Sequence, residues 1–291
     1  MRFFMDVIRG VLIGVANVIP GVSGGTMAVS LGVYDRLISS LTGLFKNFKR
    51  SMQTLVPILL GAALGIVGFA FLIEYLFATF PLATCLTFTG LILGGLPILT
   101  GSLKKELEKR NTGIKAGHVA AFVILFVFGI GMSLAGGEGA AVDLSRVNVI
   151  GIILLFVIGM VTSATMVIPG VSGSMLLMIL GYYNSIISAI TDFMTALKDF
   201  DVPGLLHGVS ILMPFGIGVV VGIFLIAKLI EFLFNRYAAL TYSAILGLII
   251  SSPFAIFINM GAVQLRPAEV IAGVLLLAAG AVLTWKVGDE K

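Results

Sequence analysis

The stretch VIPGVSG, residues 18–24, occurs a second time without change at residues 167–173. Its proline and glycines disfavour a continuous helix, yet both copies lie within long apolar stretches. The chain has 291 residues, of which 59% are hydrophobic and only 11% are charged, whereas soluble domains carry about 25% charged residues. The composition therefore predicts a membrane protein, and the repeated stretch predicts interrupted helices within it.

The repeated stretch belongs to a longer internal duplication. Residues 14–41 align with residues 163–190 with 12 identities in 28 positions. Residues 57–77 align with residues 214–234 with 10 identities in 21 positions. The two blocks occur in the same order, and each pair of blocks is followed by two further apolar stretches. The sequence therefore predicts two structural repeats.

Each repeat contains three apolar stretches that approach or exceed the ~20 helical residues needed to cross a membrane. We predict an all-α integral membrane protein with a first repeat at residues 1–138 and a second at residues 139–291, together forming one membrane domain. Each repeat is a broken helical hairpin plus three transmembrane helices. The predicted hairpins are residues 3–45 and 147–190, and the predicted spans are residues 55–77, 82–100, 117–135, 206–234, 238–258 and 270–285.

The broken hairpins are predicted to be re-entrant. The limbs from Arg9 to Pro20 and from Gly24 to Arg36 advance 11 and 12 residues, or about 16 and 18 Å at ~1.5 Å per residue. Each limb is therefore close to half of a bilayer. A hairpin that returns to its own side leaves three crossings in each repeat, so that two tandem repeats have inverted topology. Inverted repeats are typical of transporters, whose site lies near the membrane centre.

The basic residues predict the orientation of the chain. Of the 18 lysines and arginines, this topology places only Arg146, Lys198 and Arg266 on one face, which leaves 18 − 3 = 15 on the other. Cytoplasmic loops carry the excess of basic residues in membrane proteins. We therefore expect a multi-pass protein of the cytoplasmic membrane with both termini in the cytoplasm. The basic charge is explained without a nucleic-acid partner.

The interrupted segments carry groups that bind anions. Irregular backbone at membrane depth is stable only inside protein or beside a wet cavity. The helix after each break begins with free N–H groups and a partial positive charge, to which small residues allow close approach. The predicted anion-binding residues are Asn17, Gly21, Ser23, Gly24, Gly25, Thr26, Gly170, Ser172, Gly173 and Ser174.

Four ionisable residues are further candidates. Arg9 and Arg36 flank the first hairpin and either receive the anion or extend to lipid headgroups. Glu74 and Glu231 occupy matching positions in the second aligned block. An ionisable residue in a span is a candidate functional group, so these two are candidates for coupling transport to protons or sodium. The alternative for Glu231 is an interfacial ion pair with Lys228, one helical turn away. No cofactor or metal site is expected.

The chain resembles the PopT-type polyprenyl-phosphate transporters over essentially its whole length. The segments that carry the resemblance are VANVIPGVSGGTMAVSLGVYDRLI (residues 15–38) and VIPGVSGSMLLMILGYY (residues 167–183). The resemblance implies a transporter, not an enzyme, that returns undecaprenyl phosphate from the outer to the cytoplasmic leaflet for cell-wall precursor synthesis. It also implies that the anion is the phosphate headgroup, with about −1.5 to −2 charges at neutral pH. The second motif departs from the first at Ser174 and Met175, which replace Gly25 and Thr26.

Two other functions remain open. Broken helices with glycine, serine and proline serve a carrier or channel for a small inorganic anion equally well. The letters GVSG also occur in intramembrane serine proteases, but that chemistry needs a histidine base beside the serine. His118 and His207 lie near the starts of spans, far from a serine at the membrane centre, which disfavours an enzyme.

Overall fold

The computed structural model describes residues 2–17, 23–135, 142–144, 148–260 and 266–289, which contain helices and no strand. The predictions that concern Pro20, Gly21 and Arg146 lie outside these residues. The all-α class is confirmed. The helices are α1 (Arg2–Asn17), α2 (Gly24–Ser30), α3 (Tyr34–Thr42), α4 (Phe48–Thr79), α5 (Pro81–Leu93), α6 (Leu96–Lys109), α7 (Ala116–Leu134), α8 (Val149–Val167), α9 (Gly173–Ile179), α10 (Tyr183–Asp199), α11 (Val202–Met260) and α12 (Pro267–Asp289).

The chain is a multi-pass membrane protein. Within the described residues, six segments are long and apolar enough to cross a membrane: α4, α5 together with α6, α7, α8, α11 and α12. The pair α9–α10, bent by 107°, would be a seventh if it forms one span. Large apolar side chains on these helices face outward, such as Phe71 at 84% exposure and Val67 at 76%. Such exposure suits a lipid environment rather than water.

The helix boundaries differ from the predicted spans in three places. The span predicted at residues 82–100 is interrupted between Leu93 and Leu96, where two glycines and a following proline weaken helical continuity. The spans predicted at 206–234 and 238–258 run on as α11, which departs from helical geometry at Tyr237 (φ −132°, ψ 42°). Helix α8 has 19 residues, so by length it can cross a membrane alone. Re-entry of the hairpins therefore remains a prediction.

The segments that begin at the serines of the two copies, Ser23 and Ser172, fold alike. Helices α2 and α9 each have seven residues and each begins after a serine N-cap, Ser23 or Ser172. Each is followed by a glycine in the left-handed region, Gly32 with φ +66° and Gly181 with φ +77°, where a side chain would be strained. Helices α3 and α10 then begin two residues later. This agreement supports the duplication, while the inverted topology of the repeats stays a prediction.

The chain divides into two compact units whose borders do not follow the two halves of the sequence. The first unit contains Met1–Leu134, Ile168–Val171 and Ala227–Lys291. The second contains Ala135–Val167 and Ser172–Ile226. The turn at the start of the second motif therefore belongs to the first unit. The predicted borders of the two sequence repeats, residues 1–138 and 139–291, stay a prediction.

In the first unit, α1 packs against α4 with the two backbones almost in contact. A Cβ atom added to Gly61 of α4 would overlap the carbonyl oxygen of Val7, and one added to Gly10 of α1 would overlap that of Ile58. Small residues permit this close approach, which is a common way for membrane helices to associate.

In the second unit, α8 packs against the first part of α11 through the matching positions. A Cβ atom added to Gly218 would overlap the carbonyl oxygen of Phe156, and one added to Gly159 would overlap that of Phe215. Phe215 and Gly218 match Ile58 and Gly61 in the second aligned block, and Phe156 and Gly159 match Val7 and Gly10 when the 149-residue offset of the first block is extended toward the N-terminus. The duplication has therefore preserved a helix pair as well as a motif.

A second tight pair in the first unit joins α5 to α12. A Cβ atom added to Gly90 would overlap the carbonyl oxygen of Leu277. The buried Glu269 of α12 accepts hydrogen bonds from the amides of Leu82 at 2.9 Å and Ala83 at 3.3 Å. Its carboxylate thus caps the N-terminus of α5, a favourable position for a negative charge. These contacts hold residues that are far apart in sequence.

Candidate functional site

The first motif is closed by hydrogen bonds within the protein. Ser23 caps α2, and its Oγ accepts a hydrogen bond from the amide of Thr26 at 3.2 Å. The amide of Gly24 donates to Oδ1 of Asn17 at 3.0 Å, and the side-chain amide of Asn17 donates to the carbonyl of Ile13 at 3.1 Å. The structure therefore brings four of the predicted residues together, and two of the amides that start α2 are occupied.

Thr26 fastens the turn of the second motif to the first. It is fully buried, and its Oγ1 accepts a hydrogen bond from the amide of Gly170 at 2.7 Å. The hydroxyl groups of Thr26 and Ser23 are 3.3 Å apart. Close packing completes the contact, since a Cβ atom on Gly25 would lie 3.3 Å from Cα of Pro169. All of these residues belong to the first unit.

Replacing Thr26 with valine is expected to lower the free energy of unfolding by about 1–3 kcal/mol, because the Gly170 amide loses its acceptor. Thermal unfolding of the purified chain in detergent measures this effect. Thr26→Ser keeps the hydroxyl group and is expected to stay near the wild type. Thr100→Val is the matched control, since the bonds of the Thr100 hydroxyl within the described part of the chain go only to carbonyls of its own helix. Equal stability of Thr26→Val and Thr26→Ser would contradict the role of this bond.

The second motif is more open than the first. Ser172 caps α9, and its Oγ lies 3.0 Å from Oγ of Ser174. Ser174 is exposed, while Ser172 and Gly173 are half-buried. Met166 stands where the first motif has Asn17, so it offers no oxygen to the first amide of α9. Among the described residues, the amides of Gly173 and Ser174 have no hydrogen-bond acceptor. The second motif therefore presents two hydroxyls and two free amides.

The two candidate arginines meet at a buried aspartate that the sequence analysis did not single out. Asp6 is 1% exposed and accepts two hydrogen bonds from Arg36, at 3.0 and 2.6 Å. Arg9 is also buried, and donates to Asp6 at 3.4 Å and to the carbonyl of Val287 at 2.7 Å. Asp6 and Arg36 lie on α1 and α3, so their pairing depends on how these helices fold together and leaves no local pattern in the sequence.

Glu231 lines a cavity of about 270 Å³ together with Asp35, Glu106 and Tyr242. The phenol of Tyr242 donates a hydrogen bond to Asp35 at 2.9 Å. Desolvation raises the pKa of the Asp35 carboxyl group, and the Tyr242 hydrogen bond opposes that shift in part. Asp35 and Glu106 were not singled out from the sequence, because only the fold brings them beside Glu231.

Lys228 and Glu74, the partner and the counterpart of Glu231 in the sequence analysis, contribute no described contact to the coupling hypothesis. The described ion pairs include none between Glu231 and Lys228. Glu74 lies on α4, and its side chain is outside the described part of the structure. The ion-coupling role of both glutamates therefore remains a prediction.

Comparison with known proteins agrees with the resemblance noted in the sequence. Residues 13–269 match the pattern of a family described as undecaprenyl phosphate translocase-like. A Staphylococcus aureus protein named polyprenyl-phosphate transporter is 29% identical over 259 residues, which cover 87% of this chain and 86% of that protein. A Vibrio cholerae protein of the same name is 25% identical over 268 residues, covering 87% of this chain and 77% of that protein. No solved structure matches the chain.

Proposed function

Because the chain belongs to the undecaprenyl phosphate translocase-like family, we propose that it moves polyprenyl phosphate across the cytoplasmic membrane. The relatives that match it are named as transporters, and the family is one of transporters rather than enzymes. The proposed direction is from the outer to the cytoplasmic leaflet, which returns the carrier lipid for cell-wall precursor synthesis. Both termini then lie in the cytoplasm, on the basic face.

The physical task in this transport is to carry the headgroup. A phosphomonoester with about −1.5 to −2 charges at neutral pH is excluded from hydrocarbon, because burying an unpaired charge is very costly. The prenyl chain is apolar, so it can stay in the hydrocarbon of the bilayer during transport. The protein therefore has to provide a polar path for the phosphate while the chain remains in the bilayer.

The observation that carries the phosphate assignment is the set of donors in the second motif. The hydroxyls of Ser172 and Ser174 lie 3.0 Å apart, and the neighbouring amides of Gly173 and Ser174 have no acceptor among the described residues. Hydrogen bonds to a charged oxygen are shorter and stronger than neutral ones. These groups bind the phosphate through hydrogen bonds, so that its release does not require a covalent bond to be broken.

The difference between the two motifs supports a transport cycle in which they alternate. In the first motif, Asn17 and Ser23 occupy the amides of Gly24 and Thr26. In the second motif, the corresponding first amide is open. We assign the headgroup to the open motif and propose that the closed and open arrangements exchange between inverted repeats, as in other transporters built from such repeats.

The cavity beside Glu231 supplies the proposed coupling. Three carboxylates, Asp35, Glu106 and Glu231, line the same space. Ionisable groups inside a membrane protein are candidates for proton uptake or cation binding, and burial raises the pKa of one of the three, the Asp35 carboxyl group. We therefore assign the uptake of a proton or sodium ion to this cavity in the first unit, with Glu74 as the sequence counterpart of Glu231.

Replacing Ser172 and Ser174 with alanine is expected to slow transport about tenfold or more, because each lost charge-assisted hydrogen bond costs about 1.5–3 kcal/mol. The measurement is transfer of a fluorescent polyprenyl phosphate between leaflets of proteoliposomes containing the full chain. Ser210→Ala is the matched control in the same unit, since among the described residues the Ser210 hydroxyl bonds only to the carbonyl of His207.

The same assay separates the proposed function from its alternative. Undiminished transfer by the Ser172→Ala/Ser174→Ala variant would remove these hydroxyls from the mechanism. Flux of phosphate or chloride without lipid transfer would establish the small-anion carrier instead. Imposed proton and sodium gradients, applied to the wild type and to Glu231→Gln, identify the coupling ion.

A further inference from the structure

A large cavity lies at the beginning of α4, in the first unit. Its volume is about 980 Å³, and it is lined by residues of α1, α3 and the first turns of α4. We call it the basic cavity and define it by the lining residues Arg36, Ser40, Lys49, Arg50 and Ser51. None of these residues except Arg36 belongs to the motifs or to the flanking residues already considered.

The basic cavity carries positive charge that its own lining does not neutralise. Its acidic lining residue is Asp6, which is already bonded to Arg36 and Arg9. Lys49 and Arg50 are exposed and form no ion pair with any described residue. The cavity therefore offers more basic than acidic groups to an incoming anion.

The arrangement of α4 increases this positive potential. The 32-residue helix has Asn47 at its N-cap, whose side chain makes no capping hydrogen bond, and no acidic residue in its first turn. The positive end of the helix dipole thus faces the basic cavity without compensation. Lys49 and Arg50 occupy that same turn, where cations are unfavourable for the helix itself. Helix stability does not favour these residues, and their charges add to the attraction for an anion.

Two serine side chains point to a ligand independently of the charges. Ser51 is 3% exposed and Ser40 is 9% exposed, and both line the cavity. Neither side chain makes a hydrogen bond with a residue in the described part of the chain. Their hydroxyl oxygens are not among the buried unpaired atoms of the described residues, so they are open to the cavity and available to donate a hydrogen bond to an anion.

The basic cavity is also lined by exposed apolar side chains. Phe3 and Phe48 also line it, and they are 52% and 66% exposed. Val56, a further lining residue, is 41% exposed. An inorganic anion would gain nothing from contact with these apolar side chains, whereas the hydrocarbon chain of a lipid could pack against them.

We propose that the basic cavity binds the phosphomonoester headgroup of an anionic lipid. Arg36 is held in place by its two hydrogen bonds to Asp6, and the remaining three of its about five N–H donors are available for phosphate. Lys49, Arg50 and the free amides of the first turn of α4 neutralise the headgroup charge. The site lies outside the two VIPGVSG stretches and shares only Arg36 with the residues predicted to bind the anion, so it adds a second headgroup site to the proposed function, on which it rests for the class of lipid.

Labelling of a cysteine placed in the cavity tests the proposal. Gln53 lines the cavity and is exposed, and the native Cys85 is fully buried, so Gln53→Cys supplies the reactive thiol. We expect farnesyl phosphate to slow labelling of the full chain in detergent by about tenfold, the effect of ~1.4 kcal/mol of binding free energy. Farnesol, which lacks the phosphate, is expected to leave the rate unchanged.

Added to Gln53→Cys, the pair Lys49→Ala/Arg50→Ala is expected to abolish the protection. Lys104→Ala/Lys105→Ala removes the same charge from α6, away from the cavity, and is expected to retain it. Ser172→Ala/Ser174→Ala is also expected to retain it, which separates this site from the transport motif. Equal protection by farnesol, or equal loss in both lysine-containing pairs, would overturn the proposal. Equal protection by inorganic phosphate at the same concentration would overturn the assignment to a lipid.

Discussion

Asp6→Asn is expected to lower the free energy of unfolding by about 3–5 kcal/mol, the usual cost of breaking a buried ion pair by removing one partner. Asp6 is 1% exposed and is shared by the guanidinium groups of Arg9 and Arg36. Asparagine has nearly the same shape but carries no charge, so the change isolates the electrostatic contribution. Thermal unfolding in detergent, followed by the fraction of monodisperse protein, measures it.

Two further variants give this prediction its controls. Asp192→Asn makes the same chemical change at an exposed aspartate and is expected to leave stability nearly unchanged. Asp6→Leu/Arg9→Met replaces one buried pair by apolar side chains, which is often neutral for stability, and is expected to recover part of the loss. If Asp6→Asn unfolds together with the wild type, the three residues do not form a stabilising cluster.

Gly61→Ala and Gly218→Ala are each expected to destabilise the fold at or above the upper end of the ~1–3 kcal/mol typical of overpacked sites. In both cases the added methyl group overlaps a backbone carbonyl oxygen, that of Val7 or of Phe156. A backbone atom in a packed helix cannot turn aside as a side chain can, so the helices must separate. The measurement is the melting temperature of each variant in the same detergent.

Each variant has a matched control on its own helix. An added Cβ atom at Gly68 of α4 or Gly216 of α11 would meet no described atom within 4 Å apart from its chain neighbours and the backbone of its own helix. Alanine is a better helix former than glycine by about 1 kcal/mol, so Gly68→Ala and Gly216→Ala are expected to be neutral or slightly stabilising. A variant at Gly61 or Gly218 that matches its control would show that the helix pair does not need this close approach.

Much of the fold can be predicted from the sequence, because the relevant forces act locally. The apolar composition and the lengths of its runs predict an all-helical membrane protein, and the break near Tyr237 falls between two predicted spans. The repeated stretch predicts where two short helices begin, since Ser23 and Ser172 are the N-caps found in the structure. Asn17 is predicted to bind the anion, whereas in the structure its side chain accepts a hydrogen bond from the amide of Gly24.

The residues that the sequence analysis missed are brought together by long-range packing. Asp6 and Arg36 are 30 positions apart, and Tyr242 and Asp35 are 207 positions apart. Nothing in the local pattern around such residues distinguishes a buried ion pair from a solvated charge. Lys49 and Arg50 likewise resemble an ordinary basic loop, and only the cavity beside them gives their position a meaning. The interruption after Leu93 reflects two glycines that an apolar run conceals.

The repeated glycine contacts have a consequence for the origin of the two halves. A doubled ancestral segment kept its backbone geometry in both descendants, while the side chains at the motif diverged, with Thr26 in one copy and Met175 in the other. In the first copy, Thr26 bonds to the amide of Gly170, whereas in the second copy the amides of Gly173 and Ser174 have no acceptor among the described residues. The two motifs are therefore not interchangeable. Replacing the sequence of one by that of the other would make the repeats more alike, but it would remove the contact or the free donors that distinguish that copy.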